Sequence, residues 1–149
     1  MELEKLLKDL FASQSLAVLA TQGKTGPYGN LVAFAVTDDL KQILFATARG
    51  TRKYDNLIRT PSVAMVMDNR SNQEDDFDKA VAVTATGTVR EVAGAERAEF
   101  QQLYLKRHPA LRSFVTASTC ALFKVDVDTY TLVNQFQNVR ELPIKPRPL

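Results

Sequence analysis

Phe45-Ala46-Thr47-Ala48-Arg49-Gly50-Thr51-Arg52-Lys53-Tyr54-Asp55-Asn56-Leu57 is the stretch that decides the fold. It reads as the end of a strand, a glycine turn and the first turns of a helix. A hydroxyl and two cations stand side by side where that helix opens. Free backbone N–H groups and the positive end of the helix dipole favour an anion there. Thr51 adds a hydroxyl, and Arg52 and Lys53 add charge-assisted donors, worth roughly 1.5–3 kcal/mol each. From Arg49 to Arg59 four cations (Arg49, Arg52, Lys53, Arg59) face one acid, Asp55. Two readings fit. In one the corner holds a phosphate. In the other Thr51 is only an N-cap and the cations form a solvated first turn. Cations at a helix N-terminus oppose the dipole, and a purely structural cap more often carries Asp or Glu.

Outward from this corner the chain reads as a mainly β domain with inserted helices. Before it, Leu3, Leu6, Leu7, Leu10 and Phe11 form one apolar helical stripe. Leu16 to Thr21 is a short strand, followed by a turn with Gly23 and Gly26. Leu31 to Thr37 and Gln42 to Thr47 form a hairpin across Asp38-Asp39. After the corner, a short helix runs from Arg52 to about Arg59 with Leu57 and Ile58 inward, and Thr60-Pro61 stops it. Ser62 to Asp68 is a strand, and Asn69 to Asp78 reads as a polar surface loop. Ala80 to Val92 is a long strand with a bulge or bend expected at Gly87. Gly94 to Arg107 is an amphipathic helix with Phe100, Leu103 and Tyr104 inward, and Leu111 to Val115 suggests a further helical turn. Cys120 to Asn134 alternates like a strand, kinked near Asp128-Thr129. The proline-rich tail from Leu142 to Leu149 is not expected to continue a sheet. Six or more antiparallel strands with short links favour closure into a small barrel, because closure removes exposed edges.

Composition excludes several functions. At 149 residues the chain fits one domain, residues 1–149. A net charge of +2 is too small to argue for nucleic acid or an anionic membrane. Cys120 is the single cysteine, so no intrachain disulfide forms, which fits a reducing, cytoplasmic compartment. It sits among apolar residues and reads as packing rather than as a nucleophile. With one cysteine and one histidine, His108, a zinc site is not expected. Acids at Glu2 and Glu4 argue against a signal peptide, and no apolar run approaches the length of a membrane span.

The order Ile43 to Thr47, Thr51-Arg52-Lys53, Leu57, then Thr60-Pro61-Ser62-Val63-Ala64 resembles the pyridoxamine 5′-phosphate oxidase-like superfamily of FMN-binding split β-barrels. Thr86-Gly87-Thr88-Val89 is similar to a second strand motif of that family. The resemblance runs from Leu16 to Val133. It implies a six-or-more-stranded antiparallel split β-barrel, with FMN as cofactor and a homodimer carrying two flavin sites at its interface. Thr51, Arg52 and Lys53 match the phosphate clamp. Thr47 matches a position beside the phosphate or ribityl chain. Asn30, Leu31 and Val32 match the strand along the flavin ring. Asp68 to Gln73, Arg70 among them, are placed to reach a partner's flavin. The resemblance implies a flavin-dependent oxidoreductase acting on a small molecule. A non-catalytic flavin-binding sensor, reservoir or stress-response module is the alternative, and deazaflavin- and haem-binding branches share the fold. Because redox chemistry belongs to the cofactor, no catalytic side chain is assigned. The family's true oxidases carry an Arg-x-His pattern near the C-terminus. Here Asn138-Val139-Arg140-Glu141-Leu142-Pro143 stands without histidine, which argues against vitamin-B6 oxidation.

Overall fold

A computed structural model describes residues 2–135 and 138–146. The order of elements is α1 (Glu2–Ser13), β1 (Leu16–Gly23), β2 (Gly26–Val36), β3 (Gln42–Ala48), α2 (Arg52–Arg59), β4 (Ser62–Asp68), α3 (Asp76–Lys79), β5 (Ala82–Glu91), α4 (Gly94–Arg107), a short 3-10 turn, α5 (Arg112–Thr116), β6 (Cys120–Asn134) and β7 (Asn138–Pro143). The strands pair in the order β3-β2-β1-β4-β5-β6-β7, and β3 also pairs with β6. Six antiparallel strands thus close a barrel, with β7 as an addition. β6 makes both arrangements from one strand: Cys120 to Asp126 pair with β3, and Thr129 to Asn134 pair with β7.

Period-2 alternation sends Leu19, Phe34, Phe45, Met65, Ala85, Phe123 and Val125 into the barrel, all buried. The apolar stripe of α1 plugs one end with Leu7, Leu10 and Phe11. A second, smaller cluster lies outside the barrel. There Tyr104, Leu105 and Val115 cover Leu44, Cys120 and Leu122, with Phe100 and Leu103 half-buried at its edge.

The bulge expected at Gly87 is present. Thr86 faces Thr129 and Gly87 faces Val127, so Asp128 is skipped. A Cβ on Gly87 would stand 2.3 Å from the Asp126 carbonyl oxygen, so only glycine fits. The skipped Asp128 turns its carbonyl to the amides of Ile144 (2.8 Å) and Lys145 (3.2 Å).

That bond helps explain one departure from the sequence reading. Leu142 and Pro143 do continue the sheet, as the end of β7, opposite Tyr130 and Thr129. Pro143 occupies the last register position, where a missing N–H costs the ladder least. Of the rest of that tail, Ile144 and Lys145 bond Asp128, and 147–149 lie outside the described residues. Ile58 differs as well: it is 55% exposed, and the buried partner of Leu57 in α2 is Asn56. β2 also begins at Gly26 rather than Leu31, since β1 pairs with it down to Gly23↔Gly26. The 69–78 segment contains the start of α3 and is internally bonded.

Candidate functional site

Thr51 opens α2 as an N-cap. Its backbone is extended (φ −105°, ψ 158°), and its Oγ1 accepts the Tyr54 amide at 3.2 Å. The hydroxyl donates to the Ala48 carbonyl at 2.9 Å and lies 3.2 Å from the Thr47 hydroxyl. Thr47 is buried at the end of β3. The two threonines therefore fasten strand end to helix start. The cap reading of Thr51 holds, and its proton has an internal acceptor. The first-turn amides of Arg52 and Lys53 have no intrahelical acceptor, as at any helix start.

α2 is seated on β1 by a polar contact. Asn56 donates through Nδ2 to the buried Thr21 hydroxyl at 3.1 Å. A Cβ at Gly23 would stand 3.2 Å from the Gly26 carbonyl oxygen and in ordinary contact, 3.5 Å, with the Asn56 amide.

Three of the motif's cations have different fates. Arg49 pairs with Glu91 at 2.8 Å, and the Tyr54 hydroxyl donates to the same carboxylate at 3.2 Å. Arg52 lies over the Tyr28 ring, 5.2 Å from its centroid. Lys53 is half-buried, and the loss of water around its ammonium pulls its pKa below the usual lysine value. Among the described residues neither Arg52 nor Lys53 has a carboxylate partner. The corner is thus not closed by the molecule's own acids.

Across from it, β2 is open on one side. β2 and β3 pair only at Phe34↔Phe45, Ala35↔Leu44 and Val36↔Ile43. Beyond that point the seam splits, and the Ala33 carbonyl accepts the Tyr104 hydroxyl at 3.0 Å. Asn30, Leu31 and Val32 lie on the split part of β2, held on the other side by Leu19, Val18 and Ala17 of β1. Asn30 shares a strand face with Tyr28, the residue beneath Arg52. Its Oδ1 is buried and has no hydrogen-bond partner among the described residues. Val32 is buried, whereas Leu31 points to the opposite face and is 60% exposed.

Arg70 stands apart. It follows β4, whose Val66↔Val18 and Ala64↔Ala20 pairing puts Asp68 at the barrel end away from α2. Arg70 is ion-paired with Asp68 at 3.0 Å. The structure therefore brings together Thr47, Thr51, Arg52 and Lys53, sets Asn30 to Val32 on the facing strand, and leaves Arg70 at the far end of the same chain. Sequence reasoning missed Tyr28, Glu91 and the Asn56–Thr21 contact. Glu91 is 42 positions from its partner Arg49, a separation carrying no local signal. Tyr54 and Asn56 lie inside the motif, whereas Tyr28, Thr21 and Glu91 do not. His108 caps α4, with Nε2 2.7 Å from the Phe34 carbonyl oxygen, and Cys120 is buried, as expected. Among the described residues no group of His, Cys, Asp and Glu gathers for a metal, and no helix is long and apolar enough to cross a membrane.

The family model for pyridoxamine 5′-phosphate oxidase matches residues 3–134. The chain belongs to this family. No curated protein matches it in sequence. Several solved structures superpose on the chain. A haem binding protein from Mycobacterium smegmatis aligns with a TM-score of 0.83 and 17% identity, over 94% of this chain and 57% of that one. Campylobacter jejuni ChuZ aligns at 0.78 and 14%, over 96% and 60%. General Stress Protein 26 from Bacillus anthracis str. Sterne aligns at 0.72 and 16%, over 95% and 100%. The chain therefore spans less than two thirds of the first two proteins. At these identities the likeness is one of fold.

Proposed function

We propose that the protein binds FMN with its phosphate at the start of α2, and acts as a flavin-dependent oxidoreductase on a small molecule. One observation carries the binding site: Arg52 and Lys53 stand beside open helix amides with no carboxylate paired to them among the described residues. A dianionic phosphate supplies what this corner lacks, and it would recover the interaction that half-burial of Lys53 forgoes. The open edge of β2 from Asn30 to Val32 offers backbone groups along one side of a flat ring, and the unpartnered Asn30 Oδ1 suits a ring N–H donor. Thr47 would stand beside the phosphate or ribityl chain. Bound flavin would supply hydride or single-electron chemistry. The chain's own part is to hold the phosphate, orient the ring and exclude water.

The site belongs to a homodimer in this reading. The outer face of β1, β2 and β4 presents Leu16 (52% exposed), Val18, Leu31 (60% exposed), Ala64 and Val66 as one apolar surface. A second copy on that face buries it and allows Arg70 to reach the partner's flavin. Haem is less well supported, since the single histidine is already engaged with a backbone carbonyl.

Mass spectrometry of the ligand released on denaturation tests the cofactor. FMN is expected, and deazaflavin, haem or nothing would replace this reading. Light scattering tests the assembly, where a fully flavin-loaded monomer would refute the shared site. Bleaching by a reduced nicotinamide with reoxidation by an acceptor separates an enzyme from a flavin reservoir.

A further inference from the structure

A cleft of about 530 Å³ opens where α1 and α4 meet the β2–β3 hairpin. This is the opposite end of β3 from the α2 corner, roughly 20 Å along a seven-residue strand. Its volume falls in the range of small-molecule sites, about 300–1,000 Å³. Its floor is apolar, made by Phe34 and Leu40 of the barrel cluster and by Leu103 of the outer one. Its rim is cationic, and for a reason that helix geometry supplies. On α1, Lys8, Phe11 and Ala12 share one face; on α4, Leu103, Lys106 and Arg107 do. Each helix turns apolar and cationic side chains toward the same space.

The rim charges are not neutralised internally. Lys5, one turn before the cleft, is paired with Asp9. Lys8 and Lys106 have no ion pair among the described residues. Arg107 is fixed in place without a carboxylate: its Nη2 donates to the carbonyls of Phe11 (2.8 Å) and Gln14 at the end of α1. Its Nε and Nη1 have no hydrogen-bond acceptor among the described residues. Asp38 is the one acid on the rim, leaving an excess of positive charge over an apolar floor.

We propose that this cleft binds a small carboxylate with an apolar aromatic or aliphatic body, the body on the floor and the carboxylate between Arg107 and the two lysines. The site is separate from the α2 corner and does not depend on a flavin there. Calorimetric titration of the whole protein, as purified, with 2-naphthoate tests it, using 2-naphthamide as the neutral isostere. One naphthoate is expected per chain, with affinity about tenfold or more above the amide, the difference a charge-assisted contact makes. Ala12→Trp lies on the exposed side of α1 and fills the cleft, so it should abolish binding. The exposed pair Lys8→Glu and Lys106→Glu changes charge without touching the core and should lower affinity by about tenfold or more. Equal binding of acid and amide, no detectable naphthoate binding at millimolar concentration, or unchanged affinity in the charge-reversed protein would each overturn the assignment.

Discussion

The corner at the start of α2 and the segment between β4 and β5 are both short, polar and charged, yet their charges end in opposite conditions. Between β4 and β5 the Asp76 carboxylate accepts from the Ser71 amide (2.8 Å), the Asn72 amide (2.7 Å) and the Ser71 hydroxyl (2.7 Å). These bonds hold its pKa below the usual carboxylate value, the Ser71 amide contributing most. Arg70 pairs with Asp68, and Lys79 pairs with Asp75. Those charges are answered within the chain. At α2 the hydroxyls of Thr47 and Thr51 are satisfied, while Arg52 and Lys53 have no carboxylate partner among the described residues. Charge that is answered within the chain shapes a loop. Charge left unanswered in a fixed position is what a ligand can use.

The largest test of this contrast is the double substitution Arg52→Ala and Lys53→Ala. Losing two charge-assisted contacts should weaken FMN by roughly 100-fold or more with the fold intact, read as flavin content after purification and by circular dichroism. Full flavin content in that variant would break the comparison.

A smaller effect separates cap from clamp. Thr51→Ala removes the bond to the Tyr54 amide and should cost about 1 kcal/mol in urea unfolding. Its flavin affinity should fall far less than in the double variant, because the Thr51 proton already has the Ala48 carbonyl.

Lys53→Met sharpens the point from the other side. The folded pKa of Lys53 is depressed, so the folded state binds protons less readily there than the unfolded one. The unliganded protein should therefore gain stability as pH rises toward the unfolded lysine value, and the methionine variant should lack that slope. At neutral pH the flavin-free variant should melt slightly higher than the flavin-free parent, while binding FMN less well. An equal or lower melting temperature would deny that Lys53 is held against its own solvation.

The smallest effect is local. Asp76→Asn should speed hydrogen exchange at Ser71 and Asn72 and leave flavin content untouched. In the parent the depressed pKa means that this anchoring is complete above the usual carboxylate range and is lost as pH falls through the lower folded value. Exchange at those two amides, followed with decreasing pH, checks it.

Much of the fold was legible because its signals are local. Helix α2 from Arg52 to Arg59, strand β4 from Ser62 to Asp68 and strand β6 from Cys120 to Asn134 fall where glycine, threonine-proline and alternating apolar residues place them. The bulge at Gly87 was legible for the same reason. Ile58 misled because helical periodicity says which residues share a face, but not that Asn56 would meet Thr21. β7 escaped because Pro143 reads as a breaker until Asp128 is seen to bond the amides that follow it. In the site, the cluster of Thr51, Arg52 and Lys53 was visible as a motif. Which of its cations remains unpaired was not.

The amino-acid order alone settled that a strand ends near Thr47, that a helix starts after Thr51 and that two cations ride on its first turn, since each depends on neighbours a few residues away. Only the closed barrel decided that Glu91 would answer Arg49 and leave Arg52 and Lys53 unanswered. It also decided that β2 would part from β3 past Phe34. Those outcomes turn on which distant groups come within about 3 Å, where hydrogen bonds and ion pairs are made.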